Sequence, residues 1–209
     1  MSAKALNQIH NSDIKDLIQS LDDESVDLII TDPPYLKEYL YTYDYLADLC
    51  PRVMKHGASL LTIVGHFALE KVFASFQNKL KYRWILCLNQ FDGSHARMAM
   101  GIEVTWKPML WYVKDAYPQG RGFIKDGIKI EGKDGQNKTR HKWEQDGDTC
   151  RFWIEKLTKP GDVVFDPYCG SGTFIYEAAK LGRNFIGFDV DAESCKTARS
   201  RLLELNQEP

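Results

Sequence analysis

The chain has 209 residues, a net charge of −2 and 44% hydrophobic residues, which suits one well-buried domain better than two. No stretch approaches the roughly 18 apolar residues of a membrane span, and Met1-Ser2-Ala3-Lys4 opens no apolar leader, so a cytoplasmic protein with no membrane partner is expected. Five scattered cysteines with no Cys-x-x-Cys, and five histidines in no ligand pattern, argue against a disulfide framework and against a metal site.

Short apolar runs alternate along the chain with segments of helical spacing, the pattern of a largely parallel sheet covered by helices on both faces. The runs predict strands at Leu6–His10, Val26–Thr31, Ser59–Val64, Arg83–Asn89, Thr105–Val113, Asp162–Phe165 and Asn184–Phe188. Helices are predicted over Ser12–Leu21, Tyr39–Met54, Phe67–Leu80, Asp148–Leu157, Thr173–Leu181 and Ala192–Leu205, with Gly182 as a terminator and Asp191 as an N-cap. Tyr39, Tyr41, Tyr43 and Tyr45 alternate with period two as a strand would, yet Leu46, Leu49, Cys50 and Val53 restore helical spacing, so helix is favoured there. Residues 115–142 break the pattern with glycines and charges. Lys114 to Lys142 carries a formal charge of +4 inside an acidic chain, and this basic, Gly-rich insertion in an otherwise single domain is the candidate nucleic-acid contact, through Arg121, Lys125, Lys129, Lys133, Lys138 and Arg140. Within it, Phe123-Ile124 and Ile128–Ile130 could form a small hairpin, or fold only on binding a partner.

Two apolar runs end in stiff corners. The first is Asp32-Pro33-Pro34-Tyr35, where Pro fixes φ, donates no hydrogen bond and holds the preceding residue extended, so no helix can start. The second is Asp166-Pro167-Tyr168-Cys169-Gly170-Ser171-Gly172-Thr173, a Gly-rich turn leading into a helix, as in ligand-binding doubly wound folds. Asp189 closes the next strand 23 positions after Asp166, the spacing at which an acid holds a nucleotide ribose. The loop is neither a full Gly-x-Gly-x-x-Gly nor a P-loop, and an acid at its mouth would repel phosphate. S-adenosylmethionine, with two positive groups, a ribose diol and no phosphate, matches acid, glycines and second acid better than a dinucleotide. The Cys169-Gly170-Ser171 string is not a protease nucleophile, since no histidine follows it.

If the strands ending at the two corners are neighbours, the corners face each other across the crevice beyond the carboxyl ends of the sheet. Asp32 and the Pro33 carbonyl then offer two acceptors, and Tyr35 a flat face, for the exocyclic amino group of a flipped base.

These residues resemble the DNA amino-methyltransferases of the β class. Asp32-Pro33-Pro34-Tyr35 is similar to their catalytic motif, and Val163 to Thr173 followed by Ala178 to Asp189 is similar to their cofactor block. The order, catalytic motif first, implies a circularly permuted, Rossmann-like S-adenosylmethionine-dependent methyltransferase fold of about seven strands. The resemblance implies that Asp32, Pro33, Pro34 and Tyr35 are catalytic. It implies that Asp166, Pro167, Tyr168, Cys169, Gly170, Ser171, Gly172 and Thr173 line the methionine part of S-adenosylmethionine, that Asp189 holds its ribose, and that Asp13 lies near its adenine. Glu144 keeps the acid of a family motif whose prolines and lysine are missing here. The expected activity is adenine N6 methylation of DNA, of the restriction-modification kind, with cytosine N4 or an RNA base as the alternative and a non-catalytic cofactor-binding subunit as a further one. The short insertion implies weak sequence preference or a partner that supplies specificity, and β-class relatives imply a possible homodimer.

Overall fold

The computed structural model describes residues 6–17, 21–34, 36–89, 96–98, 100–116, 122–128 and 147–205. Its elements in chain order are β1 (Gln8–Asn11), α1 (Ile14–Leu17), β2 (Val26–Thr31), α2 (Tyr41–Val53), β3 (Met54–Ile63), α3 (Leu69–Phe76), β4 (Lys81–Asn89), β5 (Ala96–Arg97), β6 (Glu103–Val104), β7 (Trp106–Val113), β8 (Gly127–Ile128), α4 (Gly147–Leu157), β9 (Val163–Asp166), α5 (Thr173–Lys180), β10 (Asn184–Asp189) and α6 (Ala192–Leu205). One sheet takes eight of these strands in the order β1-β10-β9-β2-β3-β7-β4-β8. Only β7 runs antiparallel to its neighbours in that sheet. This is the expected α/β architecture of a Rossmann-like methyltransferase fold.

Side chains that alternate along each strand divide the core into two layers. Ile29, Leu60, Phe165 and Ile186 meet α2 and α3 through Tyr43, Leu46, Val72 and Phe76. Leu28, Ile30, Leu61 and Val164 meet α4, α5 and α6 through Trp153, Ile154, Ile175 and Cys195. Both faces of the central strands are therefore apolar, as a parallel sheet between two helical layers requires.

Three local expectations hold in detail. The tyrosine-rich segment is helical from Tyr41, after a short 3-10 turn at Lys37–Tyr39, and Tyr43 points into the core while Tyr41 is exposed. Gly182 ends α5 in the left-handed region at φ 72°, with its amide donating to the Ala179 carbonyl at 2.9 Å. Asp191 caps α6, accepting from the Ser194 amide at 2.9 Å.

One differs. Strand β3 begins at Met54, five residues before the apolar run of Ser59, because Gly57 at φ 75° lets the chain bulge without leaving the sheet. Its register against β2 shifts between Val26 and Leu28. Of the small hairpin considered at Phe123-Ile124 and Ile128–Ile130, Lys129 and Ile130 lie outside the described residues. Gly127–Ile128 joins the sheet as β8, parallel to Cys87–Leu88, and the Cys87 amide donates to the Asp126 carbonyl at 2.6 Å. The pairing covers amides that β4 would otherwise leave open at the edge of the sheet.

One buried-edge contact holds the centre of the sheet together. Asp27 accepts from the Val163 amide at 2.9 Å and from Lys55 Nζ at 2.7 Å, tying the starts of β2, β3 and β9 across 136 residues of sequence.

Candidate active site

Strand β2 stops at Thr31, and Asp32, Pro33 and Pro34 continue without helix or strand. Pro33 is buried, Asp32 half-buried and Pro34 exposed; Tyr35 lies outside the described residues. Strands β2 and β9 are parallel neighbours, pairing Leu28 with Val164 and Ile29 with Phe165. The condition set by the sequence is met: the two corners leave adjacent strands on the same edge of the sheet.

The second corner is built from short backbone bonds. The Tyr168 amide donates to Asp166 Oδ1 at 3.1 Å, and the Gly170 amide to Asp189 Oδ2 at 2.7 Å. The Cys169 amide donates to the Phe188 carbonyl at 2.8 Å, and the Gly172 amide to the Cys169 carbonyl at 2.7 Å. Gly170 and Gly172 both sit at positive φ, 48° and 84°, which is what turns the chain from β9 into α5 within a few residues. Gly172 is also a close approach: a Cβ there would lie 2.7 Å from the Ala198 Cβ of α6. Arg201 braces the turn from behind, donating to the Ser171 carbonyl at 3.0 Å and the Thr173 hydroxyl at 3.3 Å.

Asp189 closes β10 beside this turn, and its second oxygen accepts the Asp191 amide at 2.9 Å. Each carboxylate oxygen keeps a lone pair for a ligand. Asp13 stands nearby, since Asn11 and Asp189 are register partners and the Ser12 amide donates to the Asp189 carbonyl at 3.0 Å. Asp13 Oδ1 accepts the Lys15 amide at 2.9 Å. Thus Asp13, Asp166 to Thr173 and Asp189 converge on one edge, as expected. Glu144, Arg121, Lys129, Lys133, Lys138 and Arg140 lie outside the described residues, and Lys125 is exposed near β8, at the far edge of the sheet from β9.

Two residues missed by motif reading, Tyr43 and Asn11, stand beside Tyr168 of the expected set. Tyr43, deep in the core, donates its hydroxyl to the Ile63 carbonyl at 3.0 Å, and burial followed by the Asp32 charge raises its phenol above the ordinary range. Asn11 donates to the Asp189 and Val190 carbonyls at 3.1 and 2.9 Å, fixing the end of β10. Tyr168 buries its hydroxyl with no hydrogen-bond partner among the described residues, and burial followed by the Asp13 charge raises its phenol above the ordinary range. No spacing rule isolates Tyr43 or Asn11, because each acts on a backbone carbonyl of a segment distant in sequence.

The electrostatics are those of crowded acids. Asp166 is 1% exposed, and burial pushes its carboxyl up to about 8, with the Tyr168 amide opposing and the Asp189 and Asp32 charges adding to the rise. A cationic group brought beside Asp166 would oppose this rise and favour the carboxylate. A carboxyl held above its unfolded value near 3.8 stabilises the fold fully below that value, and its contribution is lost as pH rises through about 8. Asp166→Asn, which cannot ionise, is expected to gain stability over the parent as pH is raised from 5 to 9, by on the order of a few kcal/mol at the upper end. Thermal melts of both proteins across that range measure this, and a constant difference in melting temperature would contradict a raised carboxyl. Among the described residues no cluster of His, Cys, Asp and Glu could hold a metal ion, and no helix is long and apolar enough to cross a membrane.

A DNA methylase family model, that of the N6 and N4 amino-methyltransferases, matches residues 26–200. The type II methyltransferase M.BglII of Bacillus subtilis is 25% identical over 248 aligned positions, covering 90% of this chain and 66% of that relative, so the chain spans just under two thirds of its length. Among solved structures, the M1.HpyAVI complex with SAM superposes with a TM-score of 0.74 at 24% identity, over 93% of this chain and 98% of that one. The cytosine-N4-specific PvuII DNA methyltransferase superposes with a TM-score of 0.78 at 16% identity, over 95% of this chain and 89% of that one.

Proposed function

Because the chain belongs to the DNA methylase family of N6 and N4 amino-methyltransferases, we propose that it methylates the exocyclic amino group of adenine in DNA, using S-adenosylmethionine. The observation that carries this reading is the pairing of β2 with β9, which sets an acid-Pro-Pro corner beside an acid-flanked glycine turn. Adenine is favoured over cytosine because position 32 is Asp and not Ser. A role in restriction-modification follows from the kind of relative it matches, and a homodimer or a specificity-supplying partner is part of the same proposal.

The residues fit the cofactor by charge and by unmet hydrogen-bonding capacity. A phosphate would face Asp166, Asp189 and Asp13; a sulfonium and an ammonium would find in them their counter-charge. The orphaned Tyr168 hydroxyl offers a donor and acceptor to a ligand lying between Asp13 and the glycine turn. Asp189, with lone pairs left on both oxygens, would hold the ribose diol, and Asp166 with the turn from Pro167 to Thr173 would line the methionine part. S-adenosylmethionine supplies, when bound, an electrophilic methyl on sulfur.

The chain itself positions the other reactant. The amino lone pair of adenine is delocalised into the ring and is a poor nucleophile. Asp32 accepts one of its N–H groups and the Pro33 carbonyl the other, which draws the nitrogen toward a pyramidal shape with its lone pair directed at the cofactor side of the crevice. Tyr35 stacks on the extruded base and offsets part of its lost stacking. Tyr43 fixes the end of β3 at Ile63, the position next to Asp32 in register.

Mass spectrometry of nucleosides from plasmid DNA incubated with the protein and S-adenosylmethionine tests this. N6-methyladenine is the expected product; N4-methylcytosine would move the assignment to cytosine, and unmodified DNA with modified RNA would move it to RNA.

A further inference from the structure

The sheet edge that carries Asp32 also carries a feature with no part in the chemistry above. Strand β4 ends at Asn89 and β7 begins at Trp106, and these two residues are register partners. The chain between them includes a second, two-stranded sheet in which Ala96 pairs with Val104 and Arg97 with Glu103. The Met98 amide donates to the Ile102 carbonyl at 2.8 Å and the Gly101 amide to the Met98 carbonyl at 3.0 Å, closing a tight turn. Gly101 has φ 81°, and a Cβ built on it would meet nothing within 4 Å. The tip stands in open space and shows solvent an apolar end: Met98 is 39% exposed, Ile102 53% and Met100 74%.

Its root is fixed beside the crevice. Trp106 packs edge-on against His66, with ring centroids 4.7 Å apart, and the Val64 amide donates to the Pro108 carbonyl at 2.9 Å. Thr31 pairs with Thr62 in the next strand pair, so only β3 separates the strand that ends at Asp32 from β7. At about 4.8 Å per strand β7 lies roughly 10 Å to the side of β2, and the hairpin projects past the Trp106 end of β7, on the side of the sheet from which Asp32 leaves. Arg97, 83% exposed at its side chain and 3.7 Å from Glu103, sits at the base of the tip.

We propose that the Ala96–Val104 hairpin is a wedge that enters the base stack of duplex DNA, its Met98, Met100 and Ile102 tip occupying the space left when the target base is turned out toward Asp32. The proposal rests on the amino-methyltransferase reading above. Apolar side chains inserted at a base step replace stacking that is otherwise lost to water, and an unbranched Met fits an irregular gap. Arg97 stands where a phosphate flanking the opened step would pass. A protein surface would serve such a tip less well, since three side chains on a two-residue ladder bury little area.

The test compares a random-sequence oligonucleotide in duplex and single-stranded form, with radiolabelled S-adenosylmethionine and the full chain. M100S and the triple variant M98S/M100S/I102S are expected to lose about tenfold or more in kcat/KM on duplex, as unassisted unstacking predicts. Activity on single strands, affinity for S-adenosylmethionine and melting temperature are expected to stay within twofold or a few degrees of the parent. Met100→Leu, which keeps the apolar volume, is expected to retain duplex activity. Equal losses on both forms, or none on duplex, overturn the wedge. A variant that converts a dimer to a monomer and loses both forms equally marks the tip as a self-association surface, and also overturns it. A parent protein inactive on both forms overturns the methyltransferase reading, and the wedge with it, before any variant is made.

Discussion

Replacing Asp32 by Ala is expected to lower methyl transfer by about a thousandfold or more while leaving the affinity for S-adenosylmethionine within a few fold, because the proposed reaction gives Asp32 the amino nitrogen to hold. The fold should tolerate the change. Asp32 is half-buried and its charge adds to the strain on Asp166, so its removal relieves repulsion among the acids, and the melting temperature should hold or rise slightly. Asp32→Asn keeps an acceptor and should retain more activity than the Ala variant. Single-turnover kinetics and equilibrium titration with the cofactor separate the two effects. An Ala variant that turns over at the parent's rate would remove Asp32 from the reaction, and one that merely loses cofactor affinity would move it to the other half of the site.

The largest structural effect is expected at Gly172. Ala there is forced to adopt φ 84° and to place its Cβ 2.7 Å from that of Ala198. Backbone strain and overpacking together predict a loss of about 3 kcal/mol, or roughly a 10 °C drop in melting temperature for a chain of this size. The same clash moves α6 away from the turn that Arg201 braces, so cofactor affinity should fall with stability. Gly170→Ala is the control. Gly170 also has positive φ, at 48°, but a Cβ there would meet nothing within 4 Å, so strain acts alone and the loss should be about 1 kcal/mol. Calorimetry with and without S-adenosylmethionine reads both; similar losses at the two glycines would show that contact with α6 contributes nothing.

Much of the site is legible from local chemistry. Two prolines after an acid stop a strand and forbid a helix whatever surrounds them, and glycines at 170 and 172 announce a turn that only they can make cheaply. Short apolar runs located seven strands to within a few residues, apart from the early start of β3 at Met54, where Gly57 and a register shift extend a strand beyond its apolar signal. The eighth strand was legible only as a possible hairpin arm at Ile128–Ile130, and its partner was not. Gly127–Ile128 pairs with the edge of β4, some 40 residues away in the sequence.

What the sequence by itself determined is the chemistry available: an acid-Pro-Pro corner, an acid-flanked glycine turn, a second acid one strand later, and the family these imply. Only the tertiary structure decided that β2 and β9 are neighbours, that Tyr43 and Asn11 fix the ends of β3 and β10, that burial raises the Asp166 carboxyl, and that an apolar hairpin stands on the same side of the sheet. The division has a physical cause. Turn and strand preferences act over a few residues and leave their mark in spacing. Adjacency, desolvation and the exposure of a loop tip are set by contacts between segments more than 100 residues apart, such as Asp27 with Val163, and a single chain read in order carries no trace of which of them will meet.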